Sequence, residues 1–190
     1  MKELFHGELV RLTFEEPEGL AKAETRWQRD SEFVRLADSD PVRLFSEKRI
    51  REQYVERRVD KGFDPEFFSF YVRTLSDDRL IGFLDMRVDL IHSDAMVGIG
   101  IGERDFWNKG YGTDMMKVCL CYAFSELGVR RVSLGVLAYN ARALRSYEKA
   151  GFRLEGRTRR DVMREGQRND TLWMGILREE WLALQKGENQ

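Results

Sequence analysis

The chain has 190 residues, of which 42% are hydrophobic and 34% charged, with a formal net charge of −1. This composition supports one folded domain spanning residues 1–190 and excludes a disordered chain. Near-neutral charge lacks the footprint of a nucleic-acid binder or a polybasic membrane anchor, so neither partner is expected.

No apolar run approaches the ~18 residues of a membrane span, and the start MKELFHGELVRL has no apolar leader core. A cytoplasmic protein is the default. In chain order, Glu8–Phe14 alternates as a first strand. Pro17–Asp30 is charged and helix-permissive, and Ser31–Asp38 continues as a short helical turn. Ser46 is placed to cap a helix reaching Asp60, with Ile50, Tyr54 and Val55 on one face. Glu66–Thr74, Leu80–Ile91 and Ala95–Gly102 read as three successive strands, separated by turns at Ser76–Arg79 and His92–Asp94.

From Gly110 the period becomes helical, with Met116, Leu120, Ala123, Phe124 and Leu127 on one stripe and Gly128 as the stop. Cys119 and Cys121 fall in this helix. Two residues apart, their side chains diverge, and no further Cys or nearby His completes a metal set, so both read as reduced structural thiols and no metal is expected. Arg131–Leu137 is a further strand. Asn140 caps a helix whose Ala143, Tyr147 and Ala150 share a stripe, and Gly151 ends it. Phe152–Arg160 and Thr171–Leu177 form a last hairpin joined by a polar loop around Glu165–Gly166. The order predicts one α+β domain on a mixed sheet.

The segment GIGIGERDFWNKGYGTD, Gly98–Asp114, carries five glycines between a strand and a helix. Its spacing matches neither the dinucleotide fingerprint, which needs G-x-G-x-x-G opening a helix, nor a P-loop, which needs Gly-Lys-Ser/Thr there. What remains is Trp107-Asn108-Lys109-Gly110-Tyr111-Gly112-Thr113 at a helix start. Consecutive N–H groups from Asn108 to Thr113, at the positive end of the helix, suit a pyrophosphate, and Gly110 and Gly112 leave room for its oxygens. A glycine-rich turn with no ligand is the alternative.

The second element is YNARALRSYEKAGF, Tyr139–Phe152. With it the chain resembles the GNAT superfamily of acyl-CoA-dependent N-acetyltransferases. The family's loop pattern Q/R-x-x-G-x-G/A matches Trp107 through Gly112, and its later motif matches Asn140, Ala143, Tyr147, Gly151 and Phe152. Glu155-Gly156, Gly166, Asp170, Met174 and Leu177 are similar to the closing hairpin of the RimJ/RimL-type, ribosomal-protein acetyltransferase-like branch. The likeness is best from residue 66 to 180. Trp107 departs from the pattern, standing where many members have the Arg or Gln that braces the loop, so phosphate binding would lean on backbone N–H groups, with Lys109 as a point charge.

The resemblance implies a central mixed, mostly antiparallel sheet of about six to seven strands flanked by helices, with a V-shaped splay between two central strands. It implies acetyl transfer from acetyl-CoA, the co-substrate, to a primary amine such as a protein N-terminus, a polyamine or another small amine. A non-catalytic CoA-binding sensor or interaction module is the alternative, and a homodimer is compatible with the family. Ile99, Gly100 and Ile101 would offer backbone N–H groups to the thioester carbonyl. Trp107, Asn108, Lys109, Gly110, Tyr111, Gly112 and Thr113 would hold the pyrophosphate. Ala143 lies on the helix that flanks the cofactor arm. Asn140 would bond the pantetheine amide or serve only as a cap.

Gly98, Gly100 and Gly102 share one face of their strand, which either leaves space for the cofactor arm or lets a helix pack closely. Tyr147 is the candidate general acid, with a core tyrosine as the alternative. Asp85, Asp89, Asp94, Glu103 and Glu66 lie on or beside the central strands as possible bases, with His92 and His6 as lone histidines in solvated places; no single base is selected. The 157–168 segment holds five arginines, which face solvent, acceptor or the CoA 3′-phosphate. The early helices mix both signs of charge, including Glu47, Glu52, Glu56 and Asp60, and leave the acceptor open.

Overall fold

A computed structural model describes residues 3–41, 43–55 and 64–187. Seven strands form one sheet in the order β1-β2-β3-β4-β5-β7-β6. β1 (Val10–Thr13), β2 (Phe67–Thr74), β3 (Leu80–Asp89) and β4 (Asp94–Ile101) pair antiparallel in sequence. β4 then pairs parallel with β5 (Arg131–Leu137), and β5, β7 (Gln167–Leu177) and β6 (Arg153–Arg164) continue antiparallel. The mixed, mostly antiparallel sheet is the one expected. Its helices are α1 (Pro17–Gln28), α2 (Ser31–Ala37), α3 (Glu47–Val55), α4 (Tyr111–Ser125), α5 (Ala141–Lys149) and α6 (Arg178–Gly187).

The core follows from strand alternation. Leu84 and Met86 of β3, Val97 of β4 and Val132, Leu134 and Val136 of β5 are buried together with Met116, Leu120 and Phe124 of α4. Cys119 is buried in the same layer, and burial pushes its thiol up to about 12, so it packs as an apolar group. Asp114, in the first turn of α4, accepts the backbone N–H groups of Glu8, Leu9 and Val10 at 3.0, 2.8 and 3.0 Å and so ties the entry of β1 to the start of α4.

Local capping follows the sequence. Ser46 Oγ accepts from the Arg49 N–H at 3.2 Å at the head of α3, while the expected continuation of that helix over 56–60 lies outside the described residues. Asp30 caps α2 by accepting from the N–H groups of Glu32 and Phe33 at 3.0 and 3.1 Å.

One expectation needs correction. The polar loop expected between Arg160 and Thr171 is strand: β6 and β7 pair out to Arg164 and Gln167, leaving Glu165 and Gly166 as a tight turn with φ of 48° and 75°. Backbone pairing across the hairpin outweighs the charged side chains, and a bulge between Thr158 and Val162, with Arg160 at φ 56°, absorbs the irregular pattern. The C-terminal helix α6 was not anticipated. Its Trp181 packs on Phe124 with centroids 5.3 Å apart, and that contact gives a short helix a core to bury against.

Candidate active site

β4 and β5 pair only at Asp94–Arg131, Ala95–Val132 and Met96–Ser133. Beyond that point they diverge, and the expected splay opens between Val97–Ile101 and Leu134–Leu137. Along a strand the N–H and C=O of successive residues point to opposite edges. Gly102 donates to Ile81 O of the β3 side at 2.9 Å, whereas the Ala95 carbonyl accepts from Ser133 Oγ of β5 at 3.3 Å. Odd-numbered residues of β4 therefore face the splay. Of the predicted trio, Ile99 and Ile101 present their N–H groups to it, while Gly100 is turned toward β3.

The splay opens a cavity of about 1190 Å³ between β4, β5, the loop before α4, and α5. The glycines divide between their two expected uses. A Cβ on Gly98 would meet nothing within 4 Å, so Gly98 widens the cavity; one on Gly100 would strike Phe83 and one on Gly102 would strike Trp27 of α1, so these two serve close packing.

The loop from Trp107 to Thr113 bends through two left-handed residues, Asn108 at φ 59° and Gly110 at φ 91°. Gly110 is the N-cap of α4 and has no side chain to cap it, so among the described residues the first N–H groups of the helix border the cavity uncapped. This cradle fits an anionic group. Gly112 has a second reason to be glycine, since a Cβ there would sit 3.1 Å from Ser146 Oγ, where Thr113 Oγ1 also meets Ser146 Oγ at 3.0 Å and joins α4 to α5. Tyr111 is held edge-on to Phe106, centroids 5.0 Å apart. Lys109 is exposed and lies outside the cavity lining. Trp107 braces the loop differently from an Arg or Gln: its Nε1 donates to Ile101 O at 2.7 Å, tying the loop to the end of β4.

On α5, Tyr147 is buried at 7% exposure yet lines the cavity, and its hydroxyl has no hydrogen-bond partner among the described residues. Burial pushes the phenol up to about 12, which keeps its proton available. Ala143, one turn earlier, also lines the cavity. Asn140 Oδ1 accepts from the Ala143 N–H at 3.1 Å, the expected cap, and its Nδ2 donates to Leu36 O at 3.2 Å. Asn140 thus joins α5 to α2.

The model of the Acetyltransferase (GNAT) domain matches residues 11–153. The chain belongs to the GNAT acetyltransferase family. It is 34% identical over 133 residues to the probable N-acetyltransferase YjcK of Bacillus subtilis (strain 168), covering 68% of this chain and 70% of that protein. It is 29% identical over 108 residues to the putative ribosomal N-acetyltransferase YdaF of the same organism, covering 56% of this chain and 58% of that protein. The structure of spermidine N-acetyltransferase from Vibrio cholerae in complex with CoA and spermine has the same fold, with a TM-score of 0.78, 22% identity and coverage of 91% of this chain and 98% of that one. As a GNAT enzyme the chain is an acetyl-CoA-dependent N-acetyltransferase.

The remaining acids of this GNAT domain separate by position. Glu103 is buried and receives Trp27 Nε1 at 2.8 Å, Arg79 at 2.7 Å and Arg26. Burial alone would raise its pKa, but the Trp27 and Arg26 hydrogen bonds hold it below its ordinary value, a structural carboxylate. Asp89 caps the β3–β4 turn through the N–H groups of His92 and Ile91, the first of which chiefly lowers its pKa. Asp94 pairs with Arg130 at 3.1 Å, Glu66 with Arg87 at 3.8 Å, and His6 with Glu3 at 2.9 Å, while His92 is exposed on its turn. Of these candidates Asp85 alone lines the cavity, opposite Gly98 in the β3–β4 register.

A roof closes one side of the cavity. Arg164 Nη2 donates to the carbonyls of Asp38 and Asp40 at 2.6 and 2.5 Å, Arg35 pairs with Glu165 at 2.8 Å, and Tyr139 Oη donates to Arg35 O at 2.8 Å. The arginine-rich segment is therefore partly structural: Arg157 pairs with Asp170 at 3.3 Å, and Arg168 lines the cavity. Sequence reasoning missed Asp114, Arg142 and this roof. Asp114 and Arg142 lie within the stretches Gly98–Asp114 and Tyr139–Phe152, but their partners, Glu8–Val10 and Trp107, lie far along the chain.

Proposed function

We propose that this GNAT domain, residues 1–190, transfers the acetyl group of acetyl-CoA to a primary amine: a protein N-terminus, a polyamine or another small amine. The observation that carries this is one cavity that receives the uncapped start of α4, the open N–H groups of β4 and the phenol of Tyr147. Acetyl-CoA brings an activated acyl thioester. The loop Asn108–Thr113 holds its pyrophosphate through backbone N–H groups. The Ile99 and Ile101 N–H groups receive the thioester carbonyl oxygen and stabilise the charge that builds there. Trp107, by donating to the Ile101 carbonyl, holds the loop against the end of β4.

An amine of pKa about 8 to 10 is mostly protonated at neutral pH, so its surplus proton must leave before it attacks. Asp85 is placed to take that proton, directly or through one water. The neutral nitrogen then bonds to the acyl carbon as the C–S bond breaks. Tyr147 gives its proton to the departing sulfur, and the second proton that the nitrogen sheds on becoming an amide returns, directly or through water, to the Tyr147 phenolate. Asn140 positions α5 and α2 around this reaction. A cationic acceptor, in keeping with the spermine-bound relative, would meet Asp38, Asp40, Asp85 and Asp161 on the cavity wall, partly offset by Arg87, Arg164 and Arg168. The hairpin motif and the likeness to YdaF support a place in the RimJ/RimL-type branch.

The test is release of CoA thiol with acetyl-CoA and a panel of peptide N-termini, polyamines, amino acids and aminoglycosides. Turnover on at least one primary amine is expected. Tight acetyl-CoA binding with no turnover on any acceptor would overturn the catalytic assignment and leave a CoA-binding module.

A further inference from the structure

Position 107 does not carry the cation of the loop pattern, and Lys109 is turned out of the cavity. A cation nevertheless reaches the loop, from the next helix. Arg142 Cζ stands 3.5 Å from the centroid of the Trp107 ring, a stacking distance, and Arg142 lines the same cavity as Gly110, Gly112 and Thr113.

Its surroundings are poor for a cation. Arg142 is the second residue of α5, at the positive end of the helix, and that first turn has no acidic residue. Arg104 lies 5.4 Å from the same indole centroid. The nearby carboxylates of Asp30 and Glu32 are engaged by Arg104 at 2.5 and 2.9 Å. No ion pair of Arg142 occurs among the described residues. Burial above all pushes its pKa below the ordinary arginine value, with Arg104 adding to the shift and Glu32 and Asp30 opposing it. Arg145 and Lys149, three and seven residues on, line the cavity too and extend a positive wall along α5.

We propose that Arg142, held face-on by Trp107, is the cation that binds the pyrophosphate of the acyl-CoA, with Trp107 as its positioning residue. The role of this arginine rests on the reading of loop 107–113 as the phosphate cradle. The indole holds the guanidinium flat and half-desolvated, so its planar fork is ordered before the anion arrives.

The test is calorimetric titration of CoA, and of S-acetyl-pantetheine, which has the same arm without the pyrophosphate, into wild type, Arg142→Met, Arg142→Lys and Trp107→Phe. Arg142→Met is expected to weaken CoA binding about tenfold or more, to leave S-acetyl-pantetheine within about twofold, and to reduce the salt dependence of CoA binding. Arg142→Lys should recover part of the loss, and Trp107→Phe should fall between. Without ligand, Arg142→Met should remain folded, with an unchanged far-ultraviolet circular dichroism spectrum. CoA affinity within about twofold of wild type in Arg142→Met, or equal loss of both ligands, would overturn the assignment. A wild type that fails to bind CoA would instead overturn the cofactor-site reading beneath it.

Discussion

Tyr147 shows how much one residue's environment decides. A tyrosine on an apolar helical stripe is ordinarily core packing, and this one is buried like a core residue. Its hydroxyl, however, borders the cavity, and burial pushes it up to about 12. The shift favours the neutral phenol in the folded protein, so its contribution to stability is full below about pH 10 and is lost as pH rises through about 12. For Tyr147→Phe a kcat loss of about a hundredfold is expected, with little change in the KM for acetyl-CoA and an unaltered melting temperature. Unchanged kcat with chemistry shown to be rate-limiting would return Tyr147 to a packing role. A glycine pair makes a second comparison. Gly98→Ala meets open space and should fold as wild type while altering the KM for acetyl-CoA. Gly102→Ala drives a methyl group into Trp27 and should cost about 1–3 kcal/mol in denaturant unfolding. Equal stability in the two variants would contradict the division of β4 into an open and a packed half.

At the scale of elements, helix boundaries were legible because their signals are local. Ser46 and Asn140 are short polar residues beside apolar periodicity, and the side chain of each accepts a backbone N–H at its helix start, whereas Asp30 reads in the sequence as the end of a helical segment and caps α2 in the structure. The β6–β7 hairpin was less legible because its outer half reads as charged loop, and only the partner strand completes its hydrogen bonds. The α2 cap carries a pH prediction. The hydrogen bond from Arg104 is the main reason that Asp30 is lowered to about 2, with the N–H groups of Phe33 and Glu32 adding to it. A depressed carboxylate stabilises the fold above about pH 4, and that contribution disappears as pH falls through about 2. Asp30→Asn keeps a capping oxygen but loses the ion pair, so it should lower the melting temperature at pH 7 and match wild type near pH 2. A difference that persists at pH 2 would place the effect in the cap alone.

At the scale of the whole molecule, the sheet is two halves joined at three residue pairs, β1–β4 on one side and β5, β7 and β6 on the other. That narrow joint is what makes room for a ligand in a sheet that would otherwise be continuous. α4 and α5 reach the opening from one side, and α2 with the hairpin tip roofs it from the other, through contacts between residues as far as 130 positions apart. The sequence alone determined the order of elements up to the last hairpin, the glycine turn at the head of α4, the cap at Asn140 and the family, because each is written in neighbouring residues and fixed spacings. Only the tertiary structure decided which β4 amides face the splay, that Gly98 opens space while Gly102 packs, that Asp85 lines the cavity, and that an arginine from α5 stands on Trp107. Those outcomes depend on which distant surfaces meet when the core closes, and no local pattern of residues encodes that meeting.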